Sequence, residues 1–176
     1  MIDGYHETFY QDGEKLLKQL PKGVFITVRD RRGETNTMTI AWGHIGVIWG
    51  RPTFIAYVRY SRHTYDLLLN ADDYTINVPA YGTLKQALKV AGTESGRDID
   101  KFKTANLTLR EANKVNSPII ADCELHYECR MIYRQTQEPA LIDERIKERY
   151  YPQHDTHIMF FGEIVDSYRL KGENHG

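Results

Sequence analysis

The sequence predicts a mostly β (α+β) protein, an antiparallel barrel carrying short peripheral helices. Three observations predict it. Several separate segments are β-branched and aromatic or alternate apolar and polar residues with period two, as strands do. The helical stretches are few and short. Strands and helices do not alternate regularly, which argues against a doubly wound parallel sheet and for antiparallel pairing.

The elements follow in chain order. Residues 12 to 19 (DGEKLLKQ) form a short amphipathic helix stopped by Pro21. Gly23 to Asp30 (GVFITVRD) is a strand, and Arg31-Arg32-Gly33-Glu34 turns it back into a hairpin partner over 34 to 42. Thr53 to Arg59 (TFIAYVR) is nearly all apolar, the signature of a strand buried on both faces or at an interface. A short helix over Thr64 to Asn70 and a strand over Tyr74 to Val78, ended by Pro79, come next. Thr83 to Ala91 is a helix closed by Gly92, and Asp98 caps a second one around Lys101 and Phe102. Ile119 to Arg134 is the longest strand signal, with Asp122, Glu124, His126, Glu128 and Arg130 on a wet face. Residues 139 to 150 are helical with Pro139 near the start. His157 to Tyr168 is the last strand, with a bulge or close approach at Gly162, and the tail from Lys171 is frayed.

The 176 residues fit a single domain, 1–176, without repeat or linker. Hydrophobic residues make up 41%, enough for a core, so the chain is globular. Lys plus Arg is 23 against 24 Asp plus Glu, so no general attraction to nucleic acid or to an anionic membrane is expected. The two cysteines, Cys123 and Cys129, fall six apart in one strand, about 20 Å at strand spacing, which excludes a bridge between them. Reduced thiols, no basic-then-apolar leader and no membrane-length apolar run lead to a cytoplasmic expectation.

Three clusters carry candidate chemistry. Asn36-Thr37-Met38-Thr39-Ile40-Ala41-Trp42 alternates short polar groups with Met38 and Trp42, which can lie against a flat ring. An ordinary barrel strand with Trp42 in the core fits the same residues. Arg59, Ser61, Arg62 and Thr64 lie within six residues at a strand-to-helix junction. Forked guanidinium donors, hydroxyls and free helix amides there suit a phosphate; as bare structure, Ser61 or Thr64 is an N-cap and the arginines are solvated. Asn77 is polar late in an apolar strand, where a turn-forming role is the alternative.

In this order the clusters resemble the flavin reductase-like family, FMN-binding proteins of split-barrel fold, over Gly23 to Tyr168. The resemblance implies an antiparallel FMN-binding split barrel that lays Asn36, Thr37, Met38, Thr39 and Trp42 along the flavin ring or ribityl chain. Arg59, Ser61, Arg62 and Thr64 are then the phosphate cradle, and Asn77 lies near the cofactor. Gly92 to Phe102 resembles a segment that folds over the flavin, with Ser95 and Gly96 allowing close backbone approach and Lys101 pairing with a phosphate or a pyridine nucleotide. A solvated Lys101 on a plain loop is the alternative. His157 is implied beside the flavin, to orient the nicotinamide or take the proton at flavin N5. The charged helix inserted over Gln135 to Gln153 resembles the flavoredoxin-like branch.

The implied function is NAD(P)H-dependent reduction of FMN, with electrons passed to free flavin or a protein acceptor, in a homodimer whose interface takes the run Thr53 to Val58. The alternatives are an FMN electron carrier with little reductase turnover and a ligand-binding barrel without catalysis. No dinucleotide fingerprint, phosphate loop or nucleophile elbow is present, and His154 with His157 lacks a third ligand, so no metal is expected.

Overall fold

The structure, a computed structural model, describes residues 9–170. Nine strands and five α-helices follow one another among these residues. They are α1 (Gly13–Gln19), β1 (Val24–Arg29), β2 (Thr35–Ile40), β3 (Gly43–Ile48), β4 (Arg51–Arg59), α2 (His63–Leu69) and β5 (Asp73–Val78). Then come α3 (Lys85–Thr93), α4 (Lys101–Thr104), β6 (Leu109–Arg110), β7 (Ile119–Ile120), β8 (Leu125–Thr136), α5 (Glu144–Tyr150) and β9 (His157–Arg169). The expected frayed tail from Lys171 lies outside the described residues.

Seven strands form one antiparallel sheet in the order β2-β1-β5-β8-β9-β4-β3, and β6 pairs with β7 separately. The large sheet wraps around one core. Met38 and Ile40 of β2 share it with Phe54, Ala56 and Val58 of β4, although these strands stand near opposite ends of the order. No ladder joins β2 to β3, so the barrel stays split along that seam. β4 runs between β9 and β3; Phe54, Ala56 and Val58 fill the chain's own core, while Ile55 and Tyr57 on the other face are half-buried.

Outward-facing residues of β1, β5 and β8 are also buried. α3 packs on this outer side through Ala87, Leu88 and Ala91 against Phe25, with Leu107, Ile120 and Cys123 completing the cluster. This cover overturns the wet face expected on β8: His126 and Glu128 are fully buried. Glu128 accepts the backbone N–H of Asn113 (2.7 Å) and Lys114 (2.6 Å) and the Tyr168 hydroxyl (2.7 Å). Period two cannot reveal a loop that returns to cover the polar face.

Other expectations are corrected. The long strand breaks into β7, a turn holding Cys123, and β8, so the two free cysteines are not on one strand. Register shifts between Glu128 and Cys129 and between Met131 and Tyr133 move its phase. Gly92 lies inside α3, which ends at Glu94. Gly92 is small because a Cβ there would press on Thr39 at 3.3 Å. Asp100, not Asp98, caps α4, accepting N–H from Phe102 and Lys103 (both 3.1 Å). The helix over 139–150 is a 3₁₀ turn at Pro139–Leu141 followed by α5, which Asp143 caps. β3 was not expected. At Gly162 the close approach is real: a Cβ would stand 2.6 Å from the Cys129 Cβ and from the Tyr74 hydroxyl.

Candidate functional site

A cleft opens beside β2, bordered by the end of β4, the start of α2, the loop after α3 and the start of β9. Its narrow end, about 140 Å³, is lined by Met38, Arg62, Thr64, Ser95, Gly96 and Lys101 among others. Its wider end, about 260 Å³, is lined by Met38 to Trp42, Tyr57, Arg59, Arg62 and His157. Met38 and Arg62 belong to both. The two ends together reach the ordinary size of a small-molecule site, roughly 300–1,000 Å³.

The narrow end is cationic. The Lys101 side chain is buried, and its ammonium donates to the carbonyls of Thr37 (3.0 Å) and Ala91 (2.9 Å). No carboxylate of a described residue lies within ion-pair distance of it. Burial, together with the nearby Arg62 charge, pulls its pKa down to about 8. The Arg62 guanidinium makes no hydrogen bond or ion pair with a described residue. Two neighbouring cations without a counter-ion in a concave wall are unfavourable alone and favourable around an anion.

Asn36 sets the wall. Its amide donates to Thr64 Oγ1 at 3.0 Å, tying β2 to the first turn of α2. Gly96 packs flat on that amide, and a Cβ there would overlap it. Arg97 bridges the mouth, donating to Asp66 (2.5 Å) and to the Ser61 carbonyl (3.4 Å).

The wide end is aromatic. Trp42 lies just past β2 and is 37% exposed. Its ring stands 4.8 Å from His157 and 5.3 Å, edge-on, from Tyr150. His157 is buried, with Nδ1 2.9 Å from the Tyr151 hydroxyl, and burial plus the nearby Arg59 pull its pKa down to about 4. At neutral pH it is an uncharged hydrogen-bonding group and a weak proton acceptor. Burial raises the Tyr57 hydroxyl's pKa, so Tyr57 also stays neutral.

Of the expected phosphate cradle, Ser61 lines the narrow end and Arg59 the wide end, and both also bond within the chain. Ser61 donates its hydroxyl (2.7 Å) and N–H (3.3 Å) to the Asp155 carboxylate. Arg59 donates to the carbonyls of Asp155 (2.6 Å) and Tyr150 (2.9 Å), with its guanidinium 5.1 Å from the Tyr151 ring. These bonds tie Tyr150 and Asp155 to the end of β4 and the turn before α2. The Arg62 side chain makes no hydrogen bond or ion pair with a described residue, and Thr64 holds Asn36. Nothing in the spacing of Asp155 announces its contacts, because its partners are 94 or more residues away in sequence.

Asn77 is also placed elsewhere. It lies under α3 and β7, where Nδ2 donates to Thr27 (3.2 Å) and Thr75 (3.0 Å) while Oδ1 accepts from the Ile120 N–H (3.0 Å) and His126 (2.8 Å). It is a buried polar clasp and lines neither end of the cleft. Thr37 points into the same outer layer, its hydroxyl on the Ile26 carbonyl (3.0 Å); only its backbone carbonyl reaches Lys101. Thr39 donates to the Leu88 carbonyl (2.7 Å) while its edge lines the wide end. Met38, Trp42, Ser95, Gly96, Lys101 and His157 all border the cleft as expected, and Asn36 supports its wall. Tyr57, Arg97, Tyr151 and Asp155 were missed. Tyr57 alone carried a signal, since it alternates with buried Ala56 and Val58.

The chain is thus a split antiparallel barrel with an aromatic cleft that ends in two cations. The chain belongs to the flavin reductase-like domain family: the family described as "Flavin reductase like domain" matches residues 17–175. Flavoredoxin of Desulfovibrio vulgaris (Miyazaki F) is 22% identical with a TM-score of 0.66, over 85% of this chain and 69% of that one. An FMN-binding domain of a flavin reductases-like enzyme from Shewanella baltica OS155 is 20% identical, TM-score 0.64, over 92% of this chain and 78% of that one. The NADH:FAD oxidoreductase of Streptomyces globisporus C-1027 is 18% identical, TM-score 0.62, over 93% and 85%. These likenesses show the fold. An uncharacterised protein of Archaeoglobus fulgidus is 36% identical over 75 residues, which span 43% of this chain and 42% of that relative.

Proposed function

We propose that this chain binds FMN in the cleft and works as an oxidoreductase, accepting hydride from NAD(P)H and passing electrons to free flavin or a protein acceptor. The observation that carries the reading is the unpaired cation pair, Arg62 and Lys101, at one end of an aromatic cleft. The residues fit the cofactor: the cations suit a phosphate, and the edge Met38 to Trp42 with Tyr57 and His157 suits a flat ring.

FMN, when bound, supplies the ring that takes and gives up hydride. The chain's own part is to bind, orient and shield. Lys101 and Arg62 neutralise the phosphate. Trp42, backed by Tyr150 and Tyr151, covers one side of the wide end. His157, aligned by Tyr151, offers a neutral hydrogen bond toward the cleft. No protein nucleophile is needed.

A homodimer remains part of this reading, its interface taking the outer face of β4 and the edge strand β3 beside it. Val47 of β3 and Trp49 of the turn after it are 55% and 60% exposed, and Trp49 stands edge-on to Tyr133 at 5.7 Å. Cys123 and Cys129, both free and buried, suit a reducing compartment such as the cytoplasm.

The deciding test is titration of the flavin-free protein with FMN and riboflavin by fluorescence quenching, followed by NAD(P)H oxidation with the FMN complex. Tight FMN binding with turnover is expected. Binding without turnover leaves an electron carrier, and no binding of either flavin ends the reading.

A further inference from the structure

We infer that the basic face formed by the end of α1 and the adjoining α3 is a docking surface for the acidic face of a partner protein. The inference rests on the proposed function only for the partner's role, that of the protein electron acceptor.

The two helices are tied side by side. Gln19 at the end of α1 accepts the N–H of Gly82, just before α3, at 3.1 Å and donates to the Gly23 carbonyl at 2.9 Å. Five exposed lysines border this junction: Lys15 and Lys18 on α1, Lys22 just after it, and Lys85 and Lys89 one turn apart on α3. Lys15 pairs with Glu124. The other four ammonium groups make no hydrogen bond or ion pair with a described residue. Lys18 and Lys22 both lie over the Tyr81 ring, 4.8 and 5.1 Å from its centre. Two cations gathered on one ring repel each other, and a carboxylate arriving between them relieves that repulsion. Only Glu14 and Glu124 stand against these lysines in the adjoining pocket, so the face is positive on a chain whose net charge is −1.

The face also holds a socket. A pocket of about 330 Å³ is lined by Val78, Pro79 and Leu125, with Lys18 and Tyr81 at its side. Leu17 and Tyr81 are each 55% exposed. One apolar side chain of a partner fits there while neighbouring carboxylates meet Lys18 and Lys22, an anchor bordered by charge. The unpaired cations are all lysines, point charges without the arginine fork that reads phosphate, which favours a protein over a nucleic acid. A concave socket favours a protruding side chain over a flat membrane.

This face lies directly behind the cleft. Thr39, which lines the wide end, donates to the Leu88 carbonyl (2.7 Å), next to Lys89. It also packs on Gly23, next to Lys22, where a Cβ would stand 2.7 Å from the Thr39 methyl. A partner seated on the lysines is therefore separated from the wide end by Thr39 and the backbone beside it.

The test titrates an oligoglutamate peptide with one central leucine into the flavin-free protein, read by calorimetry, with phosphatidylserine vesicles and polyuridine RNA as rival probes. Saturation at one site is expected. Lys18→Gln/Lys22→Gln should weaken it about fivefold or more at low ionic strength, with the gap closing toward about 0.5 M salt. Lys114→Gln/Arg145→Gln removes the same charge from other exposed positions and should change little. Circular dichroism should show both double variants folded. Omitting the leucine should weaken binding in the parent and not in Tyr81→Ala; equal loss in both would overturn the socket. The docking surface is overturned by equal loss in the two double variants, which would mean attraction to net charge alone, or by no saturation at millimolar peptide. Tighter binding of vesicles or RNA through Lys18 and Lys22, or self-association abolished by their replacement, would likewise assign the face to another occupant and overturn it. Peptide binding needs no flavin, so this outcome is separate from that of the flavin titration.

Discussion

Lys101 shows how one buried side chain couples binding to pH. Its pKa is held near 8, below the ordinary lysine value, because burial and Arg62 both penalise the charge. A bound phosphate reverses that penalty. FMN binding should therefore take up a proton above pH 8, and affinity should fall as pH rises from 8 toward 10, by up to about tenfold per unit. Riboflavin, without the phosphate, should bind with no such slope. Arg62→Ala removes a cation whose side chain makes no hydrogen bond or ion pair with a described residue. It should weaken FMN about tenfold or more, since a charge-assisted bond contributes roughly 1.5–3 kcal/mol, and leave riboflavin unchanged. Parallel pH profiles for the two flavins would show that these cations do not read the phosphate. Gly96 is a second residue-scale test. Gly96→Ala places a methyl on the Asn36 amide and should break its bond to Thr64. Reduced FMN affinity with a nearly unchanged melting temperature is expected; global unfolding would make Gly96 a structural residue instead.

Among elements, the segment over 137–156 was the hardest to read from sequence. Its helix, Pro139 and its charge were legible, but its position was not. A guanidinium and a hydroxyl at a strand-to-helix turn serve an acceptor of either origin. Ser61 meets the protein's own Asp155 carboxylate and Arg59 two backbone carbonyls, while both still border the cleft. By contrast Met38, Gly96 and Lys101 lie in local elements that bring them to the narrow end of the cleft, with Asn36 in its wall. Asn77 misled for the reason His126 did: the covering layer of α3 and β7 is invisible to strand periodicity. Asp155→Ala should release the segment from the Ser61 end while Arg59 still holds its carbonyls. We expect faster FMN release and faster amide hydrogen exchange over 144–156, with the core exchange unchanged. Unaltered exchange in that segment would mean Asp155 does not fasten it.

At the scale of the molecule, the two buried histidines set how the fold meets acid. His126 and His157 sit on opposite sides of the sheet, one under α3 and β7 and one in the cleft, so their effects should add. Burial lowers both pKa values from 6.5 to about 4, against a favourable Cys123 carbonyl for His126 and against Asp155 for His157. The sign follows from proton counting. Between pH 6.5 and 4 the unfolded chain binds more protons than the folded one, so stability is complete above pH 6.5 and is lost as pH falls toward 4. Each ring contributes at most about 1.4 kcal/mol per pH unit, less for His157, whose site opens to water. This window lies above the ordinary carboxylate range, where Asp30, Asp72 and Asp100 are held low by their partners and protonate only later. Urea unfolding at pH 7.5, 6 and 5 should give a falling midpoint at constant slope, as about two protons are taken up on unfolding. FMN binding in the cleft should protect the His157 share and leave that of His126. A midpoint that stays flat down to pH 5, or imidazole signals titrating near pH 6.5 in the folded protein, would show that neither ring is held neutral by the fold.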